Sequence, residues 1–467
     1  MNNIKKLKVQ NEALEVFFNS SHFGASKNKQ GAFHWVTGLG KTYASILIIK
    51  KYLKENKKAL IFVLVPSEAI KKQWEEYRKN FKVNFEIYSS FELLNKNSFL
   101  ICDLLIVDEL HLFYSLETIK LINGSLISFV DNLGLTGTYY DFTNREEQIK
   151  NIFPIIHEIT EEEALKLNLI NTFIEFNLPV KLTNEEQEKL KDYNKSLYDN
   201  IQKLPKDFFK FINNVYKGGE INGQYYEGKQ HIYLYAASKN WKRNMNLLDP
   251  INAKIDSLWN PNKIYGYCRI VMEAIKKRKD LLYNAENKII VITEIIKKLN
   301  LKTITFSKSI KFTELLTETL NTENIKSDYY HSNLKTIILF DDLKNKYIKK
   351  GKITQKKEIL NNFKNNTIKV LNSVSALDTG FDMPDIELAI TASGDSNFNT
   401  YTQRNGRAKR FLKSKKVIIV NLYVENSKEE QWLKKRQSKS THEIYKVLNV
   451  EDISFNYVPK GININQI

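Results

Sequence analysis

Ala32-Phe33-His34-Trp35-Val36-Thr37-Gly38-Leu39-Gly40-Lys41-Thr42-Tyr43 runs from an apolar stretch through two glycines into an amphipathic segment at 43–53. A strand over 32–36, a Gly-rich turn and a helix over 43–53 have the layout of a phosphate loop. The glycines let backbone N–H groups approach phosphate oxygens, and the helix N-terminus adds a favourable potential. Thr37, Gly38, Gly40, Lys41 and Thr42 form the expected nucleotide-binding set. Lys41 is placed to neutralise the β- and γ-phosphates, and the Thr42 hydroxyl to ligate Mg²⁺. A chance Gly-Lys-Thr turn would need neither the strand before it nor the helix after it. One position departs from the general pattern: Trp35 stands six residues before Lys41, where glycine is usual.

Outward from this loop, short apolar runs recur at 59–65, 104–107 and 133–135. They lack polar alternation, which predicts strands buried on both faces. Strands interleaved with helices predict a parallel α/β sheet. Asp108-Glu109-Leu110-His111 follows the run at 104–107. Carboxylates at the C-terminal end of a buried strand face the ligand crevice of an open sheet. Asp108 is expected to hold Mg²⁺, and Glu109 to orient or activate the attacking water. His111 is the candidate link to a second lobe. A solvated acidic loop is the plainer reading of the same four residues.

The rhythm lapses near Pro179 and returns with strands at 303–306, 368–371, 388–391 and 417–422 and a helix at 310–320. Between the two blocks lies a charged helix at 183–201, then a Gly- and Tyr-rich stretch at 213–240. Residues 179–285 hold 19 Lys and Arg against 12 Asp and Glu, and read as a mostly helical insertion. Its tyrosines either stack on bases or core a small subdomain, and Trp241 and Trp259 read as packing anchors. Near the end stands Gln403-Arg404-Asn405-Gly406-Arg407-Ala408-Lys409-Arg410. Arg407 and Arg410 are one helical turn apart and can face one site. Arginines brought to a γ-phosphate raise turnover by roughly 10³–10⁵. The expected boundaries are 1–178, 179–285, 286–425 and a charged, then Asn-rich tail at 426–467.

The chain has 467 residues, of which 42% are hydrophobic, enough for two or three cored domains. Its formal net charge of +18 favours a polyanionic partner. General abundance of Lys, Asn and Ile would give the same excess without one. Two cysteines, Cys102 and Cys268, have no metal spacing and suit a reducing compartment. No apolar stretch is long enough to span a bilayer, so a cytoplasmic protein is expected.

These motifs, in this order, resemble those of the superfamily 2 helicases and translocases, of the DExH/DEAH-like branch, over roughly residues 5–425. The resemblance implies two tandem RecA-like parallel-sheet domains, with ATP and Mg²⁺ between them. It assigns Gln10 to the adenine, and Asp382 and Gln403 to the nucleotide from the second lobe. Pro66, Ser67 and Ser90 lie in segments similar to those that hold a nucleic-acid backbone. Thr136 and Thr138, in Leu133-Gly134-Leu135-Thr136-Gly137-Thr138, would link hydrolysis to lobe movement. Ser307, Ser373 and Gly380 fall in the strand-contacting segments of the second lobe. Leu110 replaces the usual Ala of the acidic box, Tyr139 stands where Pro is common, and Val374 replaces a Thr. The implied partner is nucleic acid, DNA before RNA, tracked by alternating grip. Small phage and viral helicases that remodel branched DNA or R-loops are the most similar group. The competing reading is a nucleotide-gated clamp, or a motor subunit of a larger nuclease or transcription complex.

Overall fold

The computed structural model describes residues 2–20, 28–96, 99–139, 145–204, 212–221, 224–226, 228–232, 261–341, 346–374, 385–413 and 415–459. Its first sheet contains β1 (Gln30–Trp35), β2 (Ile61–Val65), β3 (Glu86–Ser89), β4 (Leu100–Asp108), β5 (Ile127–Thr136) and β6 (Ile155–Ile159). The strands are parallel, in the order β3-β2-β4-β5-β1-β6. Non-alternating apolar runs serve both faces of this sheet. Ile61, Val63 and Val65 of β2, with Leu104 and Ile106 of β4, enter one core. Phe62 and Leu64, with Leu105 and Val107, enter the other.

Leu110, a departure at the sequence level, is wholly buried in that second core. It packs over Gly134, where an added Cβ would lie 2.6 Å from Leu110 Cδ2 and 3.2 Å from Phe153 Cδ1. The larger residue in the acidic box is thus matched by the missing side chain on β5. Overpacking of this kind costs about 1–3 kcal/mol, the loss expected for Gly134→Ala in chemical denaturation. Adding Leu110→Ala should recover part of it, and a double variant no better than the sum of the two would count against the pairing. Tyr139 is also absorbed by packing: its hydroxyl donates to the Phe153 carbonyl at 2.8 Å.

The next strand, β7 (Phe173–Val180), begins within the stretch 1–178 assigned to the first lobe but pairs in the other sheet. Residues Val180–Ile290 form a compact unit of their own. It holds the helices Asn184–Ile201, Ile212–Lys217 and Pro261–Tyr283 and the antiparallel pair β8 (Gly219–Ile221) and β9 (Gln224–Tyr226). Its core joins Leu204, Ile212, Val215, Ile232, Ile264, Cys268 and Val271. Tyr233, Tyr235, Trp241 and Trp259 lie outside the described residues.

The chain then builds β10 (Thr303–Ser307), β11 (Ser327–Tyr330), the hairpin β12 (Ile337–Asp341) and β13 (Lys346–Lys350), β14 (Val370–Val374), β15 (Leu388–Thr391), β16 (Val417–Val424) and β17 (Ile444–Lys446). The second sheet runs β11-β14-β10-β15-β16-β7-β17. The tail left unread in the sequence therefore closes this sheet as an edge strand paired parallel to β7.

The tail also brings His442 to a buried ionic junction. Its Nε2 lies 2.7 Å from Glu175 of β7, and its Nδ1 lies 2.8 Å from Glu161, which follows β6. Glu161 also takes Lys409 Nζ at 2.7 Å. Glu175, wholly buried, accepts from Tyr401 Oη and Asn421 Nδ2 as well. Burial opposes a charge on His442, but hydrogen bonds to Glu161 and Glu175 outweigh it and raise its pKa above the usual 6.5. Burial alone would push Glu161 up; Lys409 and His442 outweigh it and bring it to about 2.

The signs follow from linkage. The raised histidine stabilises fully below its unfolded pKa and loses that contribution as pH rises through the folded value. The depressed carboxyl stabilises above its unfolded pKa and loses its contribution as pH falls toward about 2. His442→Gln should therefore lower the thermal midpoint more at about pH 6 than at about pH 8.5. Equal losses at both would refute the assignment of an imidazolium.

Candidate nucleotide site

The phosphate loop leaves β1 after Trp35 and enters the helix Lys41–Glu55 at Gly40. Gly38 and Gly40 have φ of 91° and 83°, a backbone region that a side chain strains. At Gly40 an added Cβ would also lie 2.5 Å from Gln10 Nε2. Gln10 is buried beneath the loop, where its amide donates to the Leu39 carbonyl at 2.9 Å; it does not line the cleft. Trp35 turns its ring away from the loop. The ring stacks on Phe33 at 5.0 Å, and its Nε1 donates to His157 Nδ1 at 3.0 Å. Only its carbonyl faces the site, accepting from Lys41 Nζ at 2.9 Å. That is why a tryptophan is tolerated where glycine is usual. Burial lowers the Lys41 pKa, Glu109 and Asp108 raise it, and Arg410 lowers it further.

β4 ends at Asp108, and Glu109 then takes a left-handed turn at φ 50°, ψ 52°. Asp108 Oδ1 accepts from the Glu109 backbone N–H at 3.0 Å, and Oδ2 accepts from Trp74 Nε1 at 2.8 Å. Burial and then Glu109 raise the Asp108 pKa to about 6, against the indole bond and Lys41. Trp74 has no assigned role in the sequence. It lies on the helix Glu68–Phe81, capped by Ser67, with Ile70, Gln73 and Tyr77 facing the same cleft. The spacing 70, 73, 74, 77 is a helical stripe, the signal that could have found it.

His111 ties the acidic box to both neighbouring motifs. Gln403 Nε2 donates to His111 Nε2 at 2.9 Å. That leaves the proton on Nδ1, 3.1 Å from Thr136 Oγ1. Thr136 in turn donates to the Thr138 carbonyl at 2.5 Å, and the Thr138 hydroxyl donates to Asn399 Oδ1 at 2.8 Å. Burial, and then Lys41, lower the His111 pKa to about 3, so the imidazole is neutral near pH 7. The chain of bonds from Gln403 through His111 and Thr136 to Thr138 and Asn399 starts and ends on one helix, Phe398–Ala408 of the second lobe.

That helix carries Arg407 in its last turn and stops at Ala408, short of Arg410. The two arginines thus do not share a helix face, as their spacing suggested. Arg410 instead forms a β-bridge with Ile170, and its carbonyl accepts from Asn171 Nδ2 at 2.6 Å. Both still line one cleft of about 270 Å³ with Thr37, Gly38, Gly40, Lys41, Thr42, Asp108, Glu109 and Gln403. Lys6, Gln73, Tyr77 and Phe411 line it as well, none of them marked in the sequence. Lys6 Nζ donates to the Gly38 carbonyl at 2.9 Å. Burial lowers the Arg410 pKa to about 10, with Tyr77 and Glu109 acting in the opposite direction. Gly406 packs directly on Thr37.

Of the expected strand contacts, Pro66, Ser67 and Ser90 are half-buried at the C-terminal edge of the first sheet. Ser90 Oγ donates to the Pro66 carbonyl at 3.3 Å, joining the two segments. The side chains of Ser307 and Ser373 are buried, at 1% and 0% exposure. Ser307 accepts from the Ser309 N–H at 3.1 Å, a turn role. Asp382 and Gly380 lie outside the described residues.

Mg²⁺ is implied by this chemistry. Among the described residues no group of three or more His, Cys, Asp or Glu could hold a metal. One carboxylate and one hydroxyl, Asp108 and Thr42, suit an ion held mainly by water and substrate phosphates. Among the described residues no helix is long and apolar enough to cross a membrane.

Comparison with known proteins agrees with this geometry. Residues 287–412 match the helicase conserved C-terminal domain, and residues 3–101 match the type III restriction enzyme, res subunit. No curated protein matches the chain. Among solved structures, the fold is similar to S. cerevisiae Dbp5 bound to RNA and ADP BeF3. That match has 13% identity and a TM-score of 0.54 over 95% of this chain and 90% of that one. The Pyrococcus furiosus Hef helicase domain gives 14% identity and a TM-score of 0.49, over 89% and 97%. Two parallel sheets around a phosphate loop, an acidic box and an arginine helix define a two-lobed RecA-like ATPase core. The two domain models support a superfamily 2 helicase, in general terms an ATP-dependent helicase or translocase.

Proposed function

We propose that this chain hydrolyses ATP between its lobes to move along or unwind nucleic acid, DNA before RNA. The observation that carries the reading is the single cleft shared by Lys41, Asp108 and Glu109 with Gln403, Arg407 and Arg410. In this reading Lys41 leaves the Trp35 carbonyl to pair with the β- and γ-phosphates. Thr42 and Asp108 would hold Mg²⁺, which would neutralise phosphate charge when bound. Glu109 orients the attacking water and takes its proton. Arg407 and Arg410 reach the γ-phosphate from the second lobe, and Gln403 completes that side. Gln10 supports the phosphate loop from beneath through its bond to the Leu39 carbonyl.

Both lobes then grip one phosphate group, and its release removes the bridge between them. Gln403, His111, Thr136 and Thr138 would carry that change across the cleft. The nucleic acid is held at Pro66, Ser67 and Ser90 by backbone contacts that carry no sequence information. Such binding weakens steeply with salt.

Steady-state ATP hydrolysis with single-stranded, duplex, forked and R-loop DNA and with RNA tests the reading. Stimulation by one polymer is the expected result. Nucleotide binding with no stimulated turnover on any of them would overturn an autonomous motor. The N-terminal match to a restriction-enzyme subunit model favours a second reading in that event, a motor subunit that works with a nuclease partner.

A further inference from the structure

Trp74 closes the segment Val65-Pro66-Ser67-Glu68-Ala69-Ile70-Lys71-Lys72-Gln73-Trp74 and is wholly buried. Its ring is wedged in the core of the first sheet with Phe85 edge-on at 5.9 Å. A residue chosen for packing alone would need no polar atom at this place. Yet its one polar atom, Nε1, meets Asp108 Oδ2 at 2.8 Å. An indole N–H only donates, so the bond has one direction. The other oxygen, Oδ1, is taken by the Glu109 backbone N–H at 3.0 Å. Two donors on two oxygens fix the rotation of the carboxylate about its stem. One donor is rigid backbone and the other a ring locked by its neighbours, so neither can follow the carboxylate if it turns.

We propose that Trp74 is a positioning residue that holds the Asp108 carboxylate in the orientation used for Mg²⁺. The inference rests on the reading of Asp108 as the magnesium-holding group of an ATPase. Outer-shell partners of this kind commonly change metal affinity by about 10–100-fold when removed. A role in packing alone would leave the magnesium dependence untouched.

The test uses the full chain and binding, not turnover. A fluorescent ADP analogue is titrated in EDTA and then with increasing MgCl₂, for the native chain and for Trp74→Phe, which keeps an aromatic ring and loses the N–H. Nucleotide affinity in EDTA should be unchanged. The Mg²⁺ concentration for half of the metal-dependent gain should rise by about tenfold or more. In an Asp108→Asn background Trp74→Phe should have no further effect, since the carboxylate it positions is gone. Trp74→Met serves where the phenylalanine variant does not fold. An unchanged Mg²⁺ midpoint, or the same loss in the Asp108→Asn background, overturns the inference while leaving the ATPase reading intact. A native chain with no metal-dependent gain overturns both, and that failure shows before any variant is compared.

Discussion

Arg407→Ala is expected to lower nucleic-acid-stimulated ATP turnover by roughly 10³- to 10⁵-fold, the range for arginines that neutralise a transferring phosphoryl group. The structural case lies in how little freedom the side chain has. Arg407 is only 8% exposed, on the last turn of a helix whose Gly406 packs against Thr37 of the phosphate loop. A dry, fixed cation acts on transition-state charge with little reorganisation, and water entering the truncated site cannot replace it. Arg410→Ala should act in the same direction. Arg410 sits beyond the helix, anchored by its bridge to Ile170 and by Asn171, so its geometry is set independently of the Arg407 turn. Fluorescent-nucleotide affinity should change far less than turnover for both. A turnover loss under about tenfold for Arg407→Ala would remove it from the reacting phosphate.

Glu109→Gln should abolish most hydrolysis while sparing nucleotide binding. Removal of a positioned general base typically costs about 10²–10⁴ in rate. Glutamine keeps the shape and the left-handed turn at φ 50° but cannot take a proton. Two secondary effects have definite signs. Glu109 raises the pKa of both Asp108 and Lys41, so its neutralisation should lower both. Asp108 would therefore ionise more readily in the variant, and its hold on Mg²⁺ should not weaken. Turnover within about tenfold of the native chain would rule Glu109 out as the base. If nucleotide binding were lost together with turnover, Glu109 would be a binding residue.

The sequence by itself determined the α/β character and the chemistry of the phosphate loop, the acidic box and the arginine box. Central strands such as β2 and β16 are buried on both faces, so their apolar runs, interrupted in β16 only by Asn421, are readable. The phosphate loop is legible because its glycines, lysine and threonine act within one turn of backbone. Edge strands are not readable this way. β3 (Glu-Ile-Tyr-Ser) and β6 (Ile-Ile-His-Glu-Ile) are part-exposed and mix polar with apolar residues, so no periodicity marks them.

Only the tertiary structure decided which distant residues meet. It moved β7 into the second sheet, closed that sheet with the tail, and set Gln403 against His111 across 292 residues of chain. It buried the side chains of Ser307 and Ser373, which the motif positions do not reveal. It also gave Trp74 to Asp108 and Leu110 to Gly134. The physical reason is the range of the forces read. Propensity, periodicity and loop chemistry act over a few residues and are written locally. A hydrogen bond or a close contact between remote segments depends on where the sheets place them, and no local pattern encodes that.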